Sequence, residues 1–153
     1  MKKMKEDILR QIGTIARALD SIANIEFKDI QLNRGQYLYL ARINENPGII
    51  SDHLAGMLNV DRTTTARSIK KLEQNGLIRK ENDGRNKKIK HLFVTAVGEK
   101  LAERIEKENT YSNQLVLKGL DDKQRQNLAE LLRVVEENAS ENWRFVKNGG
   151  KRK

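Results

Sequence analysis

The chain has 153 residues, enough for one domain with a substantial core, and carries a formal net charge of +9. This charge favours polyanionic partners, namely nucleic acid, an anionic membrane surface or acidic proteins. The absence of Cys excludes disulfides, thiolate metal sites and Cys-based redox sensing. No stretch approaches the roughly 18 apolar residues of a membrane span, and the N-terminal MKKMKEDILR has no apolar signal-peptide core. We therefore expect a soluble cytoplasmic protein without a membrane partner.

The first predicted element is a helix over residues 6–27. Its apolar side chains recur at steps of four, three, four and three positions, which places them on one helix face: Ile8, Ile12, Ile15, Leu19 and Ile22. This apolar stripe can pack either on the helix's own domain or on a partner chain.

Two shorter helices are predicted next. Asn33 is expected to be the N-cap of a helix over residues 34–45, which the Asn-Pro-Gly sequence at 46–48 ends. Ser51 is expected to cap a short helix that ends near Leu58.

A turn at residues 59–60 leads into a third, basic helix. Asp61 is its predicted N-cap, and the helix runs over residues 62–74. Four residues are expected to face inward or nearly so: Thr65, Ala66, Ile69 and Leu72. The Asn-Gly pair at 75–76 is expected to supply a left-handed C-terminal stop.

A hairpin of two strands is predicted after this helix, over residues 77–80 and 88–94. The Asn-Asp-Gly sequence at 82–84 has strong turn chemistry, and its Asp-Gly pair suits a hairpin tip. Asp83 is expected either to shape this turn or to hold Arg85 in place.

The C-terminal part is predicted to contain two long amphipathic helices. Thr95 caps the first, Gly119 interrupts the pattern, and Asp121 starts the last helix. The Gly-rich basic tail at 148–153 is expected to be disordered.

The long terminal helices predict a dimer. In so short a chain they have too little core of their own, so they are expected to pack together and against the same helices of a second copy. The fold class expected is mainly α, an α+β winged helix-turn-helix core with long terminal dimerisation helices. The predicted division is residues 1–30 for the N-terminal helix, 31–98 for the DNA-binding domain and 99–147 for the C-terminal dimerisation helices.

Positive charge is concentrated in the central module. Residues 61–91 contain ten Lys or Arg against four Asp or Glu, and so hold six of the nine excess charges. A helix placed after a turn, followed by a basic hairpin, suits duplex DNA. The candidate DNA-contacting residues are Arg62, Thr63, Thr64, Arg67, Lys70, Lys71, Arg85, Lys87 and Lys88. Alternatively, the Thr residues are poor helix formers near a cap, and the cations form a solvated face.

Other kinds of site are not expected. His53 and His91 lie far apart in sequence, and without Cys a zinc site would need carboxylates from elsewhere. The sequence has no phosphate-cradling Gly-rich loop and no nucleophile elbow. We therefore predict no metal, no cofactor and no enzymatic activity.

Three segments of the chain resemble the MarR family of bacterial transcription regulators. They are LNRGQY at 32–37 running to NPG at 46–48, NVDRTT at 59–64 with KLEQNGLI at 71–78, and Asp83-x-Arg85 with VTxxG at 94–98. The resemblance implies a homodimer with two winged helices on a near-palindromic operator. It also implies control by a ligand between the dimer unit and the DNA-binding lobe, for which Tyr37 and Tyr39 are weak candidates; core packing is the favoured role of both.

The chain departs from the family pattern at two places. Thr65 and Ser68 stand where the family usually has apolar residues, which predicts looser packing or a slight shift of the recognition helix. The wing is three residues longer than usual, so Asn86 and Lys88 are alternatives to the Asp83–Arg85 pair.

The sequence therefore predicts a DNA-binding transcriptional regulator, expected to be a repressor that a small-molecule effector releases. A basic helical scaffold that binds RNA or an acidic protein is the alternative.

Overall fold

The computed structural model describes residues 7–153, so residues 1–6, including the predicted helix start at Glu6, lie outside it. The described chain forms six helices and three strands, and the predicted α+β winged-helix class is confirmed. In chain order the elements are α1 (Ile8–Glu26), α2 (Gln36–Glu45), β1 (Ile49–Ile50), α3 (Ser51–Leu58), α4 (Arg62–Gln74), β2 (Ile78–Asn82), β3 (Lys90–Val94), α5 (Ala96–Val116) and α6 (Asp122–Lys147).

The sheet contains three antiparallel strands in the order β1-β3-β2. In its register Ile49 pairs with Leu92, and Ile78 pairs with Val94. Sequence reasoning missed β1, since two residues are too short to show a strand period. The two hairpin strands were predicted, although each begins one or two residues later than expected.

The core of the winged-helix lobe forms where α2, α3, α4 and β3 meet. Its centre consists of aliphatic side chains that are at most 1% exposed, namely Leu40, Ile43, Leu54, Leu72 and Leu92. Each element contributes the apolar side of an amphipathic pattern, so the opposite side of α4 is left facing solvent.

The two predicted N-caps Asp61 and Thr95 are present, and Asp121, predicted to start the last helix, is the N-cap of α6. Asp61 accepts a hydrogen bond from the backbone N–H of Thr64, Thr95 accepts one from Gly98, and Asp121 forms a capping box with Gln124. The predicted stop after α4 is also confirmed, because Gly76 has φ 73°, a left-handed conformation that costs Gly little.

Two predicted helix starts were wrong. The second helix begins at Gln36 rather than at residue 34, since Arg34 (φ 56°) and Gly35 (φ 82°) are left-handed and the N–H of Arg34 donates to Asn24 Oδ1. Ser51 is the first residue of α3 and not its cap; the cap position is occupied by Ile50, which has no capping side chain.

The start of α5 is hydrogen-bonded to the two residues that precede β2. Thr95 donates from its N–H to the carbonyl of Leu77 and from Oγ1 to the carbonyl of Gly76, at 3.0 and 2.7 Å. Gly98 lies so close that a Cβ there would overlap the Leu77 carbonyl oxygen. The wing is thereby attached to the long helix that leaves the lobe.

The end of α6 extends into the predicted disordered tail. Gly149 and Gly150 donate their N–H groups to the carbonyls of Val146 and Phe145, the hydrogen bonds of a Schellman cap. The prediction of disorder from residue 148 was therefore wrong for the first three tail residues, which close the helix. Residues 151–153 have no regular secondary structure.

Candidate nucleic-acid interface

The helix-turn-helix consists of α3, a short turn and α4. Asn59 adopts φ 54° at the turn, and the N–H of Val60 donates to the carbonyl of Ala55. The left-handed residue reverses the chain within two positions, and Asn tolerates this conformation better than most residues. The Asp61 cap then starts α4 with its N-terminal N–H groups near the surface.

The exposed side of α4 contains all six residues that were predicted to contact DNA from this helix. Arg62, Thr63, Thr64, Arg67, Lys70 and Lys71 are solvent-exposed. The side chains of Thr63, Lys70 and Lys71 form no hydrogen bond or ion pair within residues 7–153. These side chains are therefore available to a ligand outside the chain.

Two residues of this set already have partners. Thr64 Oγ1 donates to Asp61 Oδ2 at 2.8 Å, and the two hydrogen bonds from Thr64 hold the pKa of Asp61 below its ordinary value. Arg62 Nε lies 3.4 Å from Asp52 Oδ1, an ion pair between the first turns of α4 and α3. Thr64 therefore belongs to the cap as much as to the outer surface.

The inward side of α4 is confirmed for three of the four predicted residues. Thr65 is completely buried, and Ile69 and Leu72 join the core. The prediction for Ala66 was wrong: it is exposed, because its position lies between the outward Arg62 and Lys70 on the helix surface.

Polar residues occupy two inward positions of α4. Ser68 is 8% exposed, and Thr65 is buried with its Oγ1 lacking a hydrogen-bond partner among the described residues. Both residues still face inward, and the helix has the predicted bounds. With Thr65 and Ser68 in place of the family's apolar residues, this side of α4 is therefore still packed on the core.

The wing is a seven-residue loop at residues 83–89 rather than a tight Asp-Gly tip. Asp83 Oδ2 accepts hydrogen bonds from the backbone N–H groups of Arg85 and Asn86, at 3.0 and 2.9 Å. Asn86 Oδ1 accepts another from the N–H of Lys88 at 3.0 Å. Of the two predicted roles of Asp83, the structure shows turn shaping, since its carboxylate bonds to backbone and not to the guanidinium.

The predicted wing cations point away from the fold. Arg85, Lys87 and Lys88 are exposed and their side chains form no ion pair in the described part of the chain. Other nearby cations are engaged: Arg79 lies 4.6 Å from the centre of the Phe93 ring, and Lys80 Nζ lies 3.4 Å from Glu73.

Sequence reasoning missed the role of His91. Its Nδ1 lies 2.8 Å from the carbonyl oxygen of Gly48, and its Nε2 lies 2.8 Å from Asp83 Oδ1. The hydrogen bonds of His91 and of the loop N–H groups lower the pKa of Asp83 to about 2. The Asp83 bond, together with the Gly48 carbonyl, raises the pKa of His91 above its ordinary value.

A groove of about 720 Å³ lies between α1, α2 and α5. Tyr37 lines it and donates from its hydroxyl to Asp20 Oδ1 at 2.8 Å. Burial and this acceptor raise the pKa of Tyr37. Tyr39 is buried in the core, 6% exposed, and does not line the groove, so only Tyr37 stays a candidate for effector contact.

No group of His, Asp and Glu side chains within residues 7–153 is arranged to hold a metal ion. Across the same residues, no helix combines the length and the apolar character that crossing a lipid bilayer requires.

Known proteins are similar to this chain in both sequence and fold. The sequence profile of the MarR family matches residues 32–90. The uncharacterized HTH-type transcriptional regulator YybA of Bacillus subtilis is 54% identical over 146 residues, which cover 95% of this chain and 97% of that protein. The chain belongs to the MarR family of transcriptional regulators.

Two solved structures extend the MarR likeness to the whole fold. A Listeria monocytogenes protein assigned to the MarR family, solved in complex with 26mer DNA, is 51% identical with a TM-score of 0.94, covering 97% of this chain and 99% of its own. An uncharacterized SlyA-like transcription regulator from the same organism is also 51% identical, with a TM-score of 0.92 and the same coverage. This MarR chain is thus a transcriptional regulator and not an enzyme.

Proposed function

We propose that this MarR family protein binds a near-palindromic DNA operator sequence-specifically, as a homodimer, and represses transcription until a small molecule releases it. The observation that carries the proposal is the outward side of α4, where Thr63, Arg67, Lys70 and Lys71 are exposed. Short hydroxyls and an arginine near a helix N-terminus are suited to base edges, and lysines to phosphates. The proposal implies a cytoplasmic protein, because bacterial DNA lies there.

The wing supports a second DNA contact beside α4. Arg85, Lys87 and Lys88 are exposed on a loop whose backbone Asp83 holds. A basic hairpin next to a recognition helix can reach the adjacent minor groove or its phosphates. The similar Listeria protein was solved with DNA, which supports duplex DNA rather than RNA or an acidic protein as the partner.

Unburied apolar surface on the terminal helices supports a dimer. Within one chain α6 has no buried residue, and Leu131 is 66% exposed. On α1, Ile8, Ile15 and Ile22 leave about half or more of their surface open, at 59%, 49% and 49%. Apolar stripes of this extent are covered by a partner in most proteins, and a two-fold dimer covers both copies at once. The divisions at residues 30, 98 and 147 are part of this proposal.

The groove beside Tyr37 supports control by a small molecule. Its walls come from α1 and α5 of the proposed dimer unit and from α2 of the lobe. A ligand that binds one lobe orientation better would shift the population toward it. The spacing of the two recognition helices would then no longer match half-sites that lie about one helical turn apart.

A mobility-shift titration tests the proposal. The duplex upstream of the protein's own gene is the probe, and unlabelled random duplex of the same length is the competitor. We expect retention against excess random duplex, and loss of the complex only at high salt. Equal competition by random duplex or by single-stranded RNA would contradict sequence-specific duplex binding and favour the scaffold alternative.

A further inference from the structure

His91 lies between two hydrogen-bond acceptors. One ring nitrogen faces the carbonyl oxygen of Gly48 and the other faces the carboxylate of Asp83, each at 2.8 Å. A carbonyl has no proton to give, and Asp83, with a pKa lowered to about 2, is an acceptor at neutral pH. A neutral imidazole has one N–H and can satisfy one of these oxygens, whereas the imidazolium has two and satisfies both.

The two acceptors belong to different parts of the lobe. Gly48 precedes β1 and donates its own N–H to the carbonyl of Leu92 in β3, at 2.8 Å. Asp83 is the first residue of the wing loop, and its second carboxylate oxygen accepts from the N–H groups of Arg85 and Asn86. The imidazole therefore connects the sheet to the carboxylate on which the loop backbone is assembled.

The charged surroundings of His91 favour the imidazolium. Asp83 of the wing and Glu81 of β2 are charged groups that act on the ring, and both are carboxylates. β1 has no ionisable side chain.

Several charged groups on the helices that pack against β3 have partners of their own. Arg42 and Glu45 of α2 pair with each other, and Asp52 of α3 pairs with Arg62. α5 also packs against β3 and carries Glu99 in its first turn.

We propose that His91 is a positioning residue for the wing, and that operator binding weakens when its imidazolium loses a proton. This proposal rests on the DNA-binding function proposed above. When the ring is neutral, either the Gly48 or the Asp83 hydrogen bond is lost. The base of the loop then gains conformational freedom. Binding of the wing cations to phosphate must order the loop again, and the entropy lost in doing so weakens operator binding.

The direction of the pH effect follows from the pKa of His91, which is raised from 6.5. A raised pKa in the folded state means that the double hydrogen bond is fully present below about pH 6.5, and is lost as pH rises through the raised value. Operator affinity should therefore be greatest near about pH 6 and fall toward about pH 8.5.

The first experiment measures operator affinity over this pH range at constant ionic strength. For the wild type we expect a loss of about three- to tenfold, the effect of one hydrogen bond. His91→Gln should bind more weakly near pH 6 and lose the pH slope, whereas His53→Gln, which removes the exposed histidine of α3, should keep it. A flat wild-type profile, or an unchanged slope in His91→Gln, would overturn the proposal.

The second variant, Asp83→Asn, should reverse the slope. Its amide oxygen can still accept from the N–H groups of Arg85 and Asn86, but its NH₂ then faces His91 Nε2. That arrangement suits the neutral ring with its proton on Nδ1 and is unfavourable for the imidazolium. Affinity that still falls with rising pH in Asp83→Asn would mean that His91 does not control the wing through this contact.

Nitrogen-15 NMR of the free protein separates this proposal from the DNA-binding one. Both ring nitrogens of His91 should be protonated near pH 6, and the amide signals of Arg85 and Asn86 should move with the same titration. A neutral ring at that pH would overturn the positioning role whether or not DNA binds. Amide signals of the loop that do not shift as His91 titrates would overturn it too. A confirmed titration in a protein that binds no operator would instead contradict the proposed function.

Discussion

Arg67 is the side chain of α4 on which base recognition most depends in the proposed complex. It is exposed one turn after the N-terminus of the helix, and its side chain forms no hydrogen bond or ion pair within the described residues. Arginine can bind the two acceptors of a guanine edge at once, whereas lysine, with a single ammonium group on a flexible side chain, serves mainly as a point charge for phosphate. Different outcomes are therefore expected for substitutions in α4 and in the wing.

Arg67→Ala should weaken operator binding by about 1–3 kcal/mol and relax the preference at one base position. Competition titrations with operators mutated one position at a time measure both effects. Arg152→Ala, which removes the same charge from the exposed tail, is the control and should change affinity little. Operator affinity equal to the wild type in Arg67→Ala would remove Arg67 from the base contacts.

Lys87→Ala should weaken binding to operator and random duplex alike, because a phosphate contact has no base preference. The slope of log affinity against log salt concentration should fall by about one. A slope identical to that of the wild type would show that Lys87 does not contact phosphate.

Thr65→Val should stabilise the fold by about 1 kcal/mol, since it replaces a buried hydroxyl without a partner by a methyl group of similar size. Urea denaturation measures the change. Thr64→Val is the matched control: its hydroxyl donates to Asp61, so its removal should not stabilise the protein. A destabilised Thr65→Val would indicate that Oγ1 has a partner, such as a bound water.

At the level of elements, local chemistry determines where the helices begin and long-range packing determines how they are oriented. The start of α4 follows from Asp61 alone, and its orientation from burial of Ile69 and Leu72. The position of the wing depends on the junction at Gly98, where α5 passes close to the backbone of Leu77, the residue before β2.

Gly98→Ala and Gly56→Ala should change stability in opposite directions. At Gly98 the new methyl meets the Leu77 carbonyl, and we expect destabilisation by about 1–3 kcal/mol or more. Gly56 lies inside α3 with open space around it, so Ala should stabilise by about 0.5–1 kcal/mol. Thermal unfolding of both variants is the measurement; an undiminished melting temperature in Gly98→Ala would contradict the close approach.

For the whole molecule, the winged-helix lobe and the terminal helices differ in whether one chain can bury their apolar side chains. The lobe buries its own core within one chain, whereas no residue of α6 is fully buried within it. A single recognition helix also reads few base pairs, and two copies on adjacent half-sites multiply the discrimination. Assembly and DNA recognition are thus expected to depend on the same dimer.

Leu131→Asp should convert the dimer into a folded monomer. Gel filtration of the wild type should give roughly twice the chain mass of 17.6 kDa, and the variant should elute near the chain mass with its helical circular dichroism retained. Leu131→Met keeps the apolar contact and should remain dimeric. A wild type that is monomeric at micromolar concentration would contradict the dimer proposal itself.

The sequence by itself determined the elements whose cause is local. The period of Ile8 to Ile22 predicts α1, the caps Asp61 and Thr95 start their helices, and Gly76 ends α4, because each depends on residues within a few positions. The exposed cations of α4 follow from the same helical period.

Only the tertiary structure decided the contacts between distant parts of the chain. β1 is a strand because β3 pairs with it, and Tyr39 rather than Tyr37 is buried because the core closes on that side of α2. His91 and Gly48 are 43 positions apart, so no sequence pattern shows that one imidazole joins them and Asp83. Such contacts depend on how the chain folds back on itself, a property that periodicity and capping do not encode.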